Sequence, residues 1–184
     1  PKALAGSVSV AYLQGLLDHL AQQGIATAAL LAQVQLAPSI LTQREQRISA
    51  SHYLQLLERA LALSGDEHFG LHLGEAVRPG YYGVLGYLIM SCSTLADALH
   101  RQARYAELVG SLGRVALHDE PAQAGLEAQI AHSWQPLSPQ LQRHTSEETL
   151  AARVTFGHWI SGLDLAPTLV RFQHPQPADV SEHQ

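Results

Sequence analysis

Residues 78–113 read RPGYYGVLGYLIMSCSTLADALHRQARYAELVGSLG, an apolar, Gly-rich half that leads into a strongly amphipathic one. Pro79 disfavours helical geometry at Arg78 and Gly80 tolerates positive φ, so the preceding element stops here and a new one begins. From Gly83 to Met90 the side chains Val84, Leu85, Tyr87, Leu88, Ile89 and Met90 leave no polar face. That composition predicts a short helix buried on all sides, far too short to span a bilayer. Gly83 and Gly86 put two positions without side chains on one side of it, where a backbone or a ligand can come close. Thr94 and Asp97 have capping-box spacing, and the helix they open carries Leu95, Ala98, Leu99, Ala106 and Val109 on one face before Gly110 and Gly113 close it.

Upstream, the pattern is helical throughout. Val10, Leu13, Leu16, Leu17 and Leu20 recur with helical period up to Gly24, and Thr27 caps a short helix with Leu30, Leu31 and Val34 that stops before Pro38. Ile48 and Ser49 read as hydrophobic staple and N-cap of a helix carrying Tyr53, Leu56, Leu57, Ala60 and Leu61, while Asp66 caps another with Phe69, Leu73 and Ala76 inside. Downstream, the period changes to two. Val115 and Leu117, then Leu126, Ala128 and Ile130, alternate with other residues around a Pro121/Gly125 loop, which predicts an antiparallel hairpin. The two prolines of WQPLSPQ predict extended chain, and Ser146 with Glu147 and Glu148 opens a helix that buries Leu150, Val154, Phe156, Trp159 and Ile160. Val170, Phe172 and His174 alternate as a third strand. The expected class is α+β: several N-terminal helices packed on a small antiparallel sheet with a returning C-terminal helix.

The 184 residues suit one domain, which buries roughly 70% of the surface of its unfolded chain without disulfide or cofactor. The lone Cys92 forms no intrachain disulfide and suits a reducing, cytoplasmic compartment. No run approaches about 18 apolar residues, so no membrane span is expected. A net charge of −5, with only 11 Lys and Arg and no cluster among them, opposes phosphate-backbone binding by this segment.

The helix pair built as G-x-x-G-Y-x-x-x-x-S-x-T-L-x-x-A-L-x-x-x-x-R-Y, here Gly83, Gly86, Tyr87, Ser91 or Ser93, Thr94, Leu95, Ala98, Leu99, Arg104 and Tyr105, resembles the N-terminal ligand-sensing (arabinose-binding-type) domain of one branch of the AraC/XylS transcription regulators. The RIS of residues 47–49 and the F-x-H-x-x-P formed by Phe172, His174 and Pro177 come in the family's order. Where the family usually has a Tyr, this chain has His183. The resemblance implies an effector-binding, homodimerising domain over residues 1–184, short of its last segment, whose DNA contact is made only by a C-terminal helix-turn-helix domain beyond Gln184. It does not imply arabinose, nor the jelly-roll barrel of the arabinose regulator.

Candidate ligand contacts are Tyr82, Tyr87, Met90, His132, Trp134 and His174, a mixture of apolar bodies and polar tips that suits a small-molecule pocket between the central helices and the sheet. Each has a core or strand-end role as its plain alternative. His68 and His72 share a helix face, but the helical zinc motif H-E-x-x-H would need Glu where Phe69 stands, so no metal is expected. Cys92 has no sequence neighbour to lower its pKa, no G-x-S-x-G turn occurs, and GYYGVLG lacks dinucleotide-loop spacing, so neither catalytic residues nor a cofactor are expected. The competing classes are a ligand-free interaction module and a small hydrolase or metal enzyme.

Overall fold

The computed structural model describes residues 6–120, 125–131, 137–164 and 166–183, with the strand residues 114–120 and 125–131 described by backbone alone. Two strand-to-helix units begin the chain. Strand β1 (Ser7–Ser9) runs into helix α1 (Val10–Gln22), and β2 (Arg47–Ser49) runs into α3 (Ala50–Ser64), with α2 (Thr27–Gln33) between them. The strands pair antiparallel with Val8 opposite Ile48, both buried. Each strand ends in a serine that caps its helix: Ser9 Oγ accepts from Tyr12 N at 3.2 Å and Ser49 Oγ from His52 N at 3.1 Å. Arg47 ties this unit to the chain that follows the central helices, donating from Nε to Ser7 Oγ and through Nη1 and Nη2 to the carbonyls of Leu108, Ser7 and Glu107.

Helix α4 (Phe69–Glu75) follows, then a 3-10 turn (Pro79–Tyr82), α5 (Val84–Met90) and α6 (Leu95–Tyr105). Asp66 Oδ1 accepts from His68 N at 2.8 Å ahead of α4, and Thr94 Oγ1 accepts from Asp97 N at 3.1 Å at the start of α6. Gly83 enters α5 with φ +57° and ψ −139°, a region open only to glycine. A Cβ on Gly86 would lie 1.9 Å from Pro79 O, so this glycine is where a backbone comes close, whereas nothing stands within 4 Å of a Cβ on Gly83. The expectation that α5 is buried all round is corrected: Val84 is 70% and Tyr87 67% exposed, because two turns of helix packed on one side must present their other side to water. After α6 a further 3-10 turn (Ala106–Leu108) brings Gly110 into a bridge with Val8.

Strands β3 (Arg114–Glu120) and β4 (Gly125–Ala131) form the antiparallel hairpin, with Val115 opposite Ile130 and Leu117 opposite Ala128. The fold is therefore α+β. Helix α7 (Pro139–Ser161) returns across the molecule. It begins a full two turns before Ser146: Ser138 Oγ accepts from Leu141 N, and Pro139 sits in the first turn, where its missing N–H costs nothing. Glu147 and Glu148 are consequently mid-helix and buried. The buried stripe runs through Leu141, Ala152 and Phe156, leaving Leu150, Val154 and Ile160 half-buried and Trp159 exposed, contrary to expectation. Gly70 and Gly74 let α4 lie directly on α7, since added Cβ atoms would come 2.4 Å from His144 O and 2.5 Å from Glu148 O.

Residues 169–174 form no strand. Leu169 and Val170 are exposed, and Phe172 and His174 instead stack on each other, 4.7 Å between centroids, as the chain runs to a last 3-10 turn (Ser181–His183). One apolar cluster joins α1, α2, α3, α4 and the start of α7; a second joins α5, α6 and the middle of α7, and Tyr12 packs against both.

Candidate functional site

Between the two clusters lies a cavity of about 100 Å³. Its polar wall includes Tyr12 from α1, Tyr53 from α3, Tyr82 from the 3-10 turn, Gln102 from α6, and His144, Thr145, Glu148, Thr149 and Arg153 from α7. The rings pack as a trio: Tyr12 lies 5.4 Å from Tyr53 and 5.7 Å from Tyr82, the latter edge to face, and Tyr82 in turn meets Phe156 at 5.0 Å. Tyr12 donates its hydroxyl to Glu148 Oε1 at 2.6 Å, a charge-assisted bond by its length. Glu148 is 7% exposed, and burial raises its pKa above the ordinary carboxylate value, outweighing the Tyr12 hydrogen bond and the Arg153 charge. Burial, then the Glu148 charge, pushes the Tyr12, Tyr53 and Tyr82 hydroxyls upward, so all three stay neutral donors.

Arg153 donates from Nη1 to Thr149 O at 2.7 Å. Its Nε is buried, and no partner among the described residues reaches it. Nor is there a direct ion pair between Arg153 and Glu148 among the described residues. The cavity thus holds a desolvated carboxylate and a desolvated guanidinium that do not satisfy each other, an arrangement that leaves both short of a partner.

The neighbouring Glu147, about 100° around α7, has the opposite surroundings. It is fully buried, yet hydrogen bonds from Arg143 Nε at 2.9 Å and His183 Nε2 at 3.0 Å overcome burial and hold its pKa below the ordinary value. His174 Nε2 lies 3.8 Å from the same oxygen. His144 Nδ1 accepts from Gly70 N at 3.2 Å, which makes that nitrogen unprotonated, and burial lowers its pKa, so His144 stands as a neutral ring between the two helices. His72 Nδ1 is 2.7 Å from Asp66 Oδ2, and His68 Nε2 is 3.4 Å from Asp179 Oδ2. Among the described residues, no three of these groups converge where a metal ion would sit.

Of the residues expected at a pocket, Tyr82 lines this cavity. Tyr87 points outward from α5, Met90 is half-buried against the second apolar cluster, and His174 faces Glu147. His132 and Trp134 lie outside the described residues. Tyr12, Tyr53, Gln102, Glu148 and Arg153 were not among the ligand contacts expected from sequence, where Tyr53 read as core and Glu148 as a first-turn acid. A signal for Glu148 exists: once α7 starts at Pro139, the buried spacing 141, 144, 145, 148, 152, 156 places His144, Thr145 and Glu148 in the stripe, and polar residues there mark a site rather than a core.

A helical domain with a buried acid and a partly buried guanidinium at one cavity fits a binding domain, and comparison with known proteins gives the class. The model of the arabinose-binding domain of AraC transcription regulators, N-terminal part, matches residues 24–184. The chain belongs to this family of regulator domains, which are ligand-binding modules and not enzymes. An ornithine utilization regulator of Pseudomonas aeruginosa is 29% identical over 171 residues, 93% of this chain and 49% of that protein. Uncharacterized HTH-type transcriptional regulators of Mycobacterium bovis and Mycobacterium tuberculosis are each 30% identical over 88 residues, 47% of this chain and 26% of theirs. The chain thus spans about half the length of the first relative and about a quarter of the other two. No described helix is long and apolar enough to cross a membrane.

Proposed function

We propose that this chain is the effector-sensing and homodimerising part of a cytoplasmic transcription regulator, coupling a small molecule to a helix-turn-helix DNA reader carried on a further domain. The observation that carries this reading is the cavity at Tyr12, Glu148 and Arg153, in which, among the described residues, the acid and the guanidinium each bond only neutral groups and Arg153 Nε has no acceptor. A ligand that supplies those partners stabilises the arrangement of α1, α3, α6 and α7 around it, and only such differential affinity can bias an attached domain. Glu148 sits beside Glu147 on α7, and Glu147 meets His183 near the end of the chain, so a shift of α7 is felt at the segment leading onward. The name of the Pseudomonas relative makes amine-bearing amino acids the first class to test.

The test is a thermal-denaturation screen across amino acids, amines, carboxylates and sugars, with molar mass by light scattering. A ligand at about 100 times its Kd stabilises by about 2.7 kcal/mol and raises Tm visibly. A dimer whose Tm no compound moves would favour the ligand-free interaction module, which the exposed Val84 and Tyr87 of α5 support.

A further inference from the structure

We infer that the cavity takes a compact amino acid as a zwitterion, its ammonium held by Glu148 among the tyrosines and its carboxylate held by Arg153. This rests on the sensor reading above and names the ligand class for that same site.

The argument is one of missing partners. Among the described residues, Glu148 Oε1 has only the Tyr12 hydroxyl at 2.6 Å, and Oε2 only a long contact from Thr149 Oγ1 at 3.4 Å. Both donors are neutral, and a buried carboxylate without a cation is costly. A primary ammonium placed there brings the opposite charge, and Tyr12, Tyr53 and Tyr82 supply the electron-rich faces that favour a cation in a dry site. Arg153 presents the complementary lack, with a buried Nε and no acceptor for it among the described residues. A carboxylate matches the guanidinium fork in geometry as well as charge.

A lone amine would satisfy only Glu148 and a lone carboxylate only Arg153, while a neutral sugar would satisfy neither charge. The ligand must therefore carry both. Size agrees: a cavity of about 100 Å³ disfavours disaccharides, nucleotides and extended aromatics. The largely apolar remainder of the wall, including Leu57, Leu73, Leu85 and Val109, suits a short methylene chain between or beyond the charged ends.

The experiment uses this 184-residue chain, thermal denaturation and isothermal titration, and five probes: L-alanine, L-ornithine, 1,4-diaminobutane, propionate and L-arabinose. The expected result is saturable binding of L-alanine or L-ornithine at least tenfold tighter than of the diamine or propionate. Glu148→Gln, which keeps an acceptor for Tyr12, is expected to weaken that binding at least tenfold while the variant melts cooperatively. Arg153→Lys, which keeps the charge but loses the fork, is expected to weaken it several-fold. Tighter binding of propionate or L-arabinose would overturn the zwitterion and leave the sensor standing. Absence of any Tm shift across all five probes and the wider screen would overturn both. Amino-acid binding undiminished in Glu148→Gln and Arg153→Lys would place the ligand elsewhere and overturn this site.

Discussion

Glu147 and Glu148 are adjacent in sequence, point about 100° apart on α7, and titrate in opposite directions. The folded pKa of Glu148 is raised, so its burial costs no stability below the ordinary carboxyl value of 4.5 and a growing amount as pH rises through the folded value. Glu148→Gln is therefore expected to melt no lower than the parent at pH 7, with any gain vanishing by about pH 4, as followed by circular dichroism. The folded pKa of Glu147 is depressed, so its contribution is present above the ordinary value and lost as pH falls through the folded one. Glu147→Gln keeps an acceptor but removes the negative charge that Arg143 and His183 share, and is expected to cost about 3 kcal/mol at pH 7 in urea unfolding, with the loss shrinking in acid. These two residues also show what the sequence hides. "SEE" reads as a helix start with first-turn acids, and only the Ser138–Pro139 start turns the same letters into two buried charges.

At the scale of elements, close backbone approach decides which positions tolerate change. Gly86→Ala drives a methyl into the Pro79 carbonyl and is expected to cost more than about 3 kcal/mol or to displace the Pro79–Tyr82 turn and with it the Tyr82 ring. Gly83→Ala meets no atom and carries backbone strain alone, about 1–3 kcal/mol. Comparing the two by thermal denaturation separates packing from strain, and only Gly86→Ala should alter a ligand-induced shift. Most helices were legible because period and caps agree: Ser49 and Thr94 each accept the expected backbone bond, Ser9 accepts one that was not anticipated, and Thr27, expected as a cap, instead lies inside α2 after Ala26. The misread elements are those where local pattern and tertiary placement part company. The apolar run of α5 is half solvent-facing, and the alternating residues 169–174 pair with no described strand, their rings packing on one another and towards Glu147 instead.

Over the whole molecule, the final segment is held by contacts at two places on the α4–α7 pair. His174 and His183 meet Glu147, and Asp179 and Glu182 meet His68 and His72. Burial lowers the His72 pKa, but the Asp66 and Glu182 carboxylates outweigh it and raise the pKa overall. Its stabilisation is thus complete below the ordinary histidine value of 6.5 and lost as pH rises through the raised one. His72→Gln is expected to lower Tm at pH 6 and leave it unchanged at pH 9, while hydrogen exchange shows residues 172–183 loosened at the lower pH only.

The most direct test of a small effector seated on α7 is a two-dimensional amide NMR titration of the chain with whichever compound most raises its Tm. The account expects saturable shifts concentrated at Tyr12, Tyr53, Tyr82, Gln102 and residues 145–153, extending to residues 172–183. Shifts confined to the exposed face of α5 at Val84 and Tyr87, with Tyr12 and Glu148 unmoved, would contradict it.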